Sequence, residues 1–208
     1  MTDRRSHRCE GAKPPRLDEL ALGDAPEVWE RLGFAVEDGV VSLGGVRIRL
    51  GADGEGIVGW RLRGLDPSHD LDGLTGCPST APPPAPVEHP NGALAVDHVV
   101  ALTPDVDRTT ARLRAAGFDH RRTREAGEGL RQAFFVLGPC LLELGGPADG
   151  DVRFWGLTLV VADLDAAARR LGDRLGPVRD AVQPGRRIAT LRREAGTGAR
   201  MALMSPRQ

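Results

Sequence analysis

The chain has 208 residues, 40% hydrophobic and 27% charged, and its 28 basic and 29 acidic side chains leave a formal charge of −1. That size buries one substantial core or two small ones, and near-cancelling charge without a basic stripe excludes nucleic acid as an expected partner. No apolar run approaches the ~18 residues of a membrane span, and "MTDRRSHRCEGAKPPR" lacks the apolar centre of a signal peptide, so the expected setting is cytoplasmic, with no membrane partner.

Residues 1–16 are polar and predict a flexible head. Over 17–65, "LDELALGDAPEVWERLGF" reads as strand then helix, and "EDGVVSLGGVRIRLGADGEGIVGWRLRGL" as three short strands with glycine turns. Residues 66–92 hold "GCPSTAPPPAPVEHPNGA", where clustered prolines favour extended backbone and Asn91-Gly92 marks a turn, so this stretch predicts a linker. In 93–147, "ALAVDHVVALT" predicts a strand and "PDVDRTTARLRAAGF" a helix starting near Asp105 or Asp107 and ending at Gly117. "LRQAFFVLGPCLLELGG" then predicts two strands meeting at Gly138-Pro139, and a weak strand ahead of Gly129 completes the set. The order returns over 153–206, with Asp165 in the place of Asp107 and Leu171 in that of Leu113, 58 residues on. A repeat of about 50 residues signals stacked units that do not bury their cores alone.

Cys9, Cys77 and Cys140 are odd in number and far apart, which supports neither a disulfide framework nor a zinc knuckle. Cys140, inside "GPCLLEL", is expected to be a small buried hydrophobe. His7, His69, His89 and His120 lie in polar or proline-rich surroundings and are expected at the surface, and "RRTRE" at 121–125 is expected to be a solvated turn face.

Three stretches carry a resemblance: "DHVVALTPDVDRT", the helix "ARLRAAGF" and "RQAFFVLGPCLLELGG". Together they resemble the vicinal oxygen chelate superfamily, which includes glyoxalase I, extradiol dioxygenases and bleomycin-resistance proteins. The resemblance implies an α+β fold of paired βαβββ modules, here at 93–147 and 153–206, with 17–65 as an additional diverged module. It also implies a pocket half-enclosed by a curved sheet and a divalent metal held by a histidine on a module's first strand and a glutamate on its last.

His98 and Glu143, 45 residues apart, occupy those two positions, and strand alternation sets Glu143 and Leu141 on the face opposite Cys140, Leu142 and Leu144. A carboxylate inside a sheet is costly unless paired or metal-bound, and imidazole with carboxylate suits Zn, Fe, Mn or Ni. Expected ligand contacts are Gln132, Phe134, Phe135, Trp155 and Met204, although Phe134, Phe135 and Trp155 also fit a core role. The last module departs from the pattern, with Gly156 opposite His98 and Ala202, or Met204, opposite Glu143, and the first strand of the N-terminal copy offers only Asp18 and Glu19. A third metal donor would have to come from Gln132, another acid, or a second subunit in a homodimer. Two functions follow: metal-assisted isomerase, lyase or dioxygenase chemistry on a small molecule, with Glu143 as a catalytic group, or metal-free binding of a small apolar ligand.

Overall fold

A computed structural model describes residues 13–207. His7, Cys9 and the first twelve residues of the expected head lie outside the described residues. The N-terminal part contains β1 (Arg16–Leu22), α1 (Pro26–Arg31), β2 (Val40–Leu43), β3 (Val46–Arg49), β4 (Ile57–Arg63) and β5 (Gly76–Ser79). These strands form a five-stranded sheet in the order β2-β3-β1-β4-β5. The next module contains β6 (Ala93–Leu102), α2 (Val106–Ala115), β7 (Asp119–Glu125), β8 (Arg131–Val136) and β9 (Leu141–Gly146). The last contains β10 (Arg153–Val161), α3 (Leu164–Leu171), β11 (Arg179–Asp180), β12 (Arg187–Thr190) and β13 (Arg200–Met204).

The two C-terminal modules share one eight-stranded sheet, β11-β12-β13-β10-β6-β9-β8-β7. Within each, the first strand lies parallel to the last, and β6 and β10 join the halves as an antiparallel pair. The helices begin alike: Asp105 and Asp163, 58 residues apart, each accept a hydrogen bond of 2.9 Å from the backbone N–H three residues on. Such caps satisfy a donor that the first helical turn leaves free. Leu113 and Leu171 are then buried at matching places. The 58-residue repeat read from the sequence is therefore the spacing of the two halves of this sheet.

The N-terminal part differs from the expected third βαβββ module. β3 returns parallel to β1, but β4 pairs antiparallel with the other edge of β1, and β5 adds parallel to β4. Strand for strand, β2-β3-β1-β4-β5 reproduces β8-β9-β6-β10-β13, the central five strands of the larger sheet. The region thus repeats the strand order and pairing directions of those five strands, with β5 beyond the bounds expected for the diverged module. The linker expected over 66–92 is corrected by the same finding, because β5 lies inside it. Pro78 is tolerated there since β5 is an edge strand and needs no further ladder partner.

Two further residues of that stretch, His89 and Asn91, are buried, and for His89 this corrects the surface position expected from sequence. His89 accepts at Nδ1 from the Ala35 N–H (3.1 Å) and lies with Nε2 2.9 Å from the Ser42 carbonyl, and the Asn91 amide donates to the Leu32 carbonyl at 3.0 Å. A polar-looking sequence hides them because their partners come from the turn after α1 and from β2, about 50 residues earlier.

The two sheets share one hydrophobic core. Trp60 of β4 packs against Phe154 (5.0 Å) and Phe118 (5.9 Å), and Phe118 meets Phe135 edge-on. At the hairpin between β2 and β3, Gly44 adopts φ +57° and approaches Ala95 so closely that an added Cβ would lie 2.6 Å from the Ala95 methyl. Asp24 ties the halves further, accepting from Trp29 Nε1 (2.9 Å) and from the Gly198 N–H (2.7 Å). Residues 81–83 and 85–88 remain exposed, so limited proteolysis is expected to cut there first. The two pieces should then co-elute on size exclusion without denaturant, and pieces that separate would show that the sheets do not share a core.

Candidate functional site

Along β6, β8 and β9 the side chains alternate between the core and the opposite face of the sheet. Val99, Ala101, Ala133, Phe135, Leu142 and Leu144 are fully buried, while His98, Gln132, Phe134 and Glu143 point the other way. That second face lines a pocket of about 620 Å³, bounded by Arg122 and Arg124 of β7, by Met204, and by residues 179–184 arching over from the last module.

The backbone of β6 has two irregularities against β10, and the second, at Asp97, lies at the site. Val96 pairs with Leu159 and His98 with Thr158, so Asp97 is an extra residue in its strand. Bulges of this kind re-aim side chains. Here the result is contact between sequence neighbours that a regular strand would turn to opposite faces: His98 Nδ1 lies 2.8 Å from Asp97 Oδ2. The other Asp97 oxygen accepts from Arg186 Nη1 at 2.6 Å. Arg186, 3% exposed, also donates to the Ser205 carbonyl (2.8 Å) and to Gln183 Oε1 (2.7 Å), which fastens the arch to the sheet. Burial pushes the Asp97 carboxyl up, but hydrogen bonds from His98 and Arg186 outweigh it and hold the group below the usual carboxylate range.

An ionised Asp97 fixes the imidazole tautomer. Nδ1 carries the proton toward Asp97, and Nε2 accepts from the Thr158 hydroxyl at 3.0 Å. Glu143 Oε2 lies 3.8 Å from that nitrogen. Its other oxygen accepts from Gln132 Nε2 at 2.5 Å, and Gln132 Oε1 in turn accepts from Arg124 Nε at 2.8 Å. A chain of polar groups therefore crosses the pocket floor from Arg124 to Arg186, with its one long step between Glu143 and His98. Phe134 beside it is flanked by the guanidinium groups of Arg122 (5.2 Å) and Arg124 (5.3 Å).

Of the residues expected from sequence, His98, Glu143, Gln132, Phe134 and Met204 come together in this pocket. Phe135 does not: it is fully buried on the core face, packed against Phe118 and His120. Its neighbour Phe134 takes the pocket side, as strand alternation requires for adjacent residues. Trp155 is neither wall nor core but 45% exposed, with the Arg200 guanidinium over its ring. "RRTRE" is part of β7 and not a solvated turn, and two of its arginines reach the pocket. Cys140 is buried as expected, and burial pushes its thiol up to about 12.

A divalent metal fits this donor set poorly. Thr158 pairs with Ala202 as Val100 pairs with Glu143, so the last module sets Gly156 and Ala202 at the places of His98 and Glu143, where a second pair of ligands would be needed. Among the described residues no group of three His, Cys, Asp or Glu side chains is placed to hold an ion. Gln132, the third donor the sequence offered, already has its oxygen engaged by Arg124 and its nitrogen by Glu143.

Two βαβββ halves, joined through their first strands and curved around a pocket that holds the first-strand histidine and last-strand glutamate, settle the architecture. This is the paired-module α+β arrangement that the sequence resemblance implied. No family model matches the chain, and no curated protein matches it. Solved structures similar to it include methylmalonyl-CoA epimerase from Mycobacterium tuberculosis, 21% identical over 56% of this chain and 91% of that one, TM-score 0.48. A Streptomyces coelicolor methylmalonyl-CoA epimerase variant in complex with 2-nitronate-propionyl-CoA is 24% identical over 54% and 97%, TM-score 0.46. A methylmalonyl-CoA epimerase in complex with methylmalonyl-CoA and NH4+ is 25% identical over 53% and 92%, TM-score 0.43.

Proposed function

We infer that the pocket on the eight-stranded sheet binds a small organic anion and moves a proton on it. The observation that carries this reading is the 3.8 Å step between His98 Nε2 and Glu143 Oε2, two proton-handling groups that face one pocket with other partners fixed behind them. Asp97 orients His98 and stabilises the imidazolium that forms when Nε2 takes a proton. This is the arrangement general-base catalysis needs, with geometry set before acidity. Glu143, on the other side of the step, returns the proton or holds a second one. Arg122, Arg124 and Arg179 on the wall supply planar, bidentate donors for a carboxylate or other oxyanion of the ligand. The reaction class is proton abstraction and return next to a carbonyl, an isomerase type of chemistry on a small molecule.

The test is solvent-deuterium exchange followed by proton NMR. The substrates are a panel of 2-oxoacids, malonates and their thioesters, which carry an acidic C–H beside a carbonyl. Exchange of at least one member is expected. It should fall at least 100-fold in His98→Ala and in Glu143→Ala, with binding retained within a few-fold, whereas Arg124→Ala should weaken binding. A panel that neither binds nor exchanges, or exchange that persists in His98→Ala, would overturn the reading. Titration with Zn, Mn, Ni and Fe(II) runs beside it: an ion bound by wild type and lost from both alanine variants would replace it with a metal-centred site.

A further inference from the structure

The five-stranded sheet carries its own pocket, of about 610 Å³, at the place corresponding to the site just described. The correspondence extends to single residues. In β1, Leu17 pairs with Leu62 and Glu19 with Arg61, which leaves Asp18 as the extra residue of a bulge, as Asp97 is in β6. Glu19 therefore stands where His98 stands. One ladder step along, Ala21 pairs with Arg49 as Val100 pairs with Glu143, so Arg49 replaces the glutamate. Arg61 corresponds to Thr158 by its pairing with Glu19.

The chemistry at these matched places has been exchanged for positive charge. Asp18, 2% exposed, accepts from Arg47 Nη1 (2.6 Å), from Arg63 and from Ser79. Arg47 and Arg63 then reach the backbone carbonyls of Pro82 and Ala81 (2.6 and 2.9 Å), which pins the following segment as one rim of the pocket. Glu19, 7% exposed, holds the guanidinium of Arg49 through two hydrogen bonds of 3.1 and 3.0 Å, while half of that arginine stays open to solvent. Four guanidinium groups thus face two carboxylates. Arg61, exposed in the middle of the lining, forms no ion pair among the described residues. A purely structural ion network would end near neutrality, because uncompensated charge packed on one face repels itself.

We propose that this second pocket binds a doubly charged small oxyanion, phosphate- or carboxylate-bearing, through Arg61 and the open side of Arg49. The buried carboxylates act as orienting groups that hold the arginines in place and leave a surplus of two positive charges. This proposal is independent of proton transfer at His98.

The experiment is isothermal titration calorimetry on the full chain with inorganic phosphate, malonate and acetate as separate probes. Saturable binding of phosphate or malonate is expected, with acetate at least tenfold weaker, and which dianion binds distinguishes a phosphate ligand from a dicarboxylate. Arg61→Ala, an exposed position whose loss spares the core, should weaken it tenfold or more. Glu19→Gln keeps hydrogen-bonding capacity but releases charge from Arg49, and should strengthen binding several-fold. Arg121→Ala, at an exposed arginine on the other sheet, should change nothing. Absence of binding by both dianions, acetate binding as tightly, or Arg61→Ala behaving as wild type would overturn the proposal. So would equal weakening by Arg121→Ala, which means diffuse surface charge, or loss of binding in Arg124→Ala, which puts the anion in the other pocket.

Discussion

Replacing Arg186 by alanine is expected to cost about 3–5 kcal/mol of folding stability, the range for removing one partner from a buried ion pair. Arg186 is buried and holds Asp97, the Ser205 carbonyl and Gln183 at once, so the substitution strands a buried carboxylate and frees the arch over the pocket together. Urea denaturation at neutral pH measures it. A loss below about 1 kcal/mol, the scale of a solvated surface pair, would show that the arch is not fastened in this way. The double variant Asp97→Asn with Arg186→Met should recover part of the loss, since neither charge is then left alone. The acid side supplies a second readout. The Asp97 carboxyl is lowered in the folded state, so its contribution is fully present above the unfolded carboxyl value of about 3.9 and is lost as pH falls through the lowered folded value. Arg186→Ala should flatten that slope.

The sequence made the paired modules legible for a specific physical reason. Asp-capped helices and buried leucines recur at one fixed offset, and both signals are local enough to survive in a single chain. The pair His98 and Glu143 was legible too, because a charged residue on an apolar strand stands out against its neighbours. Three other parts were not. Asp97 adjoins His98 in sequence, and ordinary alternation would send it to the core; only the bulge, set by pairing with β10, turns it to the same face. Arg186 lies 89 residues from Asp97, in an arginine-rich stretch with nothing to single it out. The N-terminal sheet was read as one module because β4 continues the strand series smoothly, and nothing local reports that it crosses to the far edge of β1. One signal could have revealed that relation earlier: "LDELAL" and "VDHVVAL" share an aspartate after an apolar residue at the same point of the strand, and both aspartates are bulged.

Trp60 offers the sharpest measurement of how the two sheets depend on each other. It is 3% exposed and contacts Phe118 and Phe154 of the larger sheet's modules, so Trp60→Ala opens a cavity at the seam and is expected to cost about 3–5 kcal/mol. Denaturation should remain a single transition, since one core serves both sheets; a variant that unfolds in two steps would show two cores. Trp60→Phe has a different balance. The buried indole N–H has no hydrogen-bond partner among the described residues, and a buried unsatisfied donor costs about 1–3 kcal/mol. Gly76 keeps that side open, because an added Cβ there would lie 2.8 Å from Nε1. Phenylalanine sacrifices part of the apolar contact but removes the stranded donor, and the two effects oppose each other at similar size. The expected net change is within about 1 kcal/mol of wild type, as for other near-isosteric core swaps. If Trp60→Phe instead destabilises as much as Trp60→Ala, the indole ring fills the seam by shape alone and the unpaired N–H carries no penalty there.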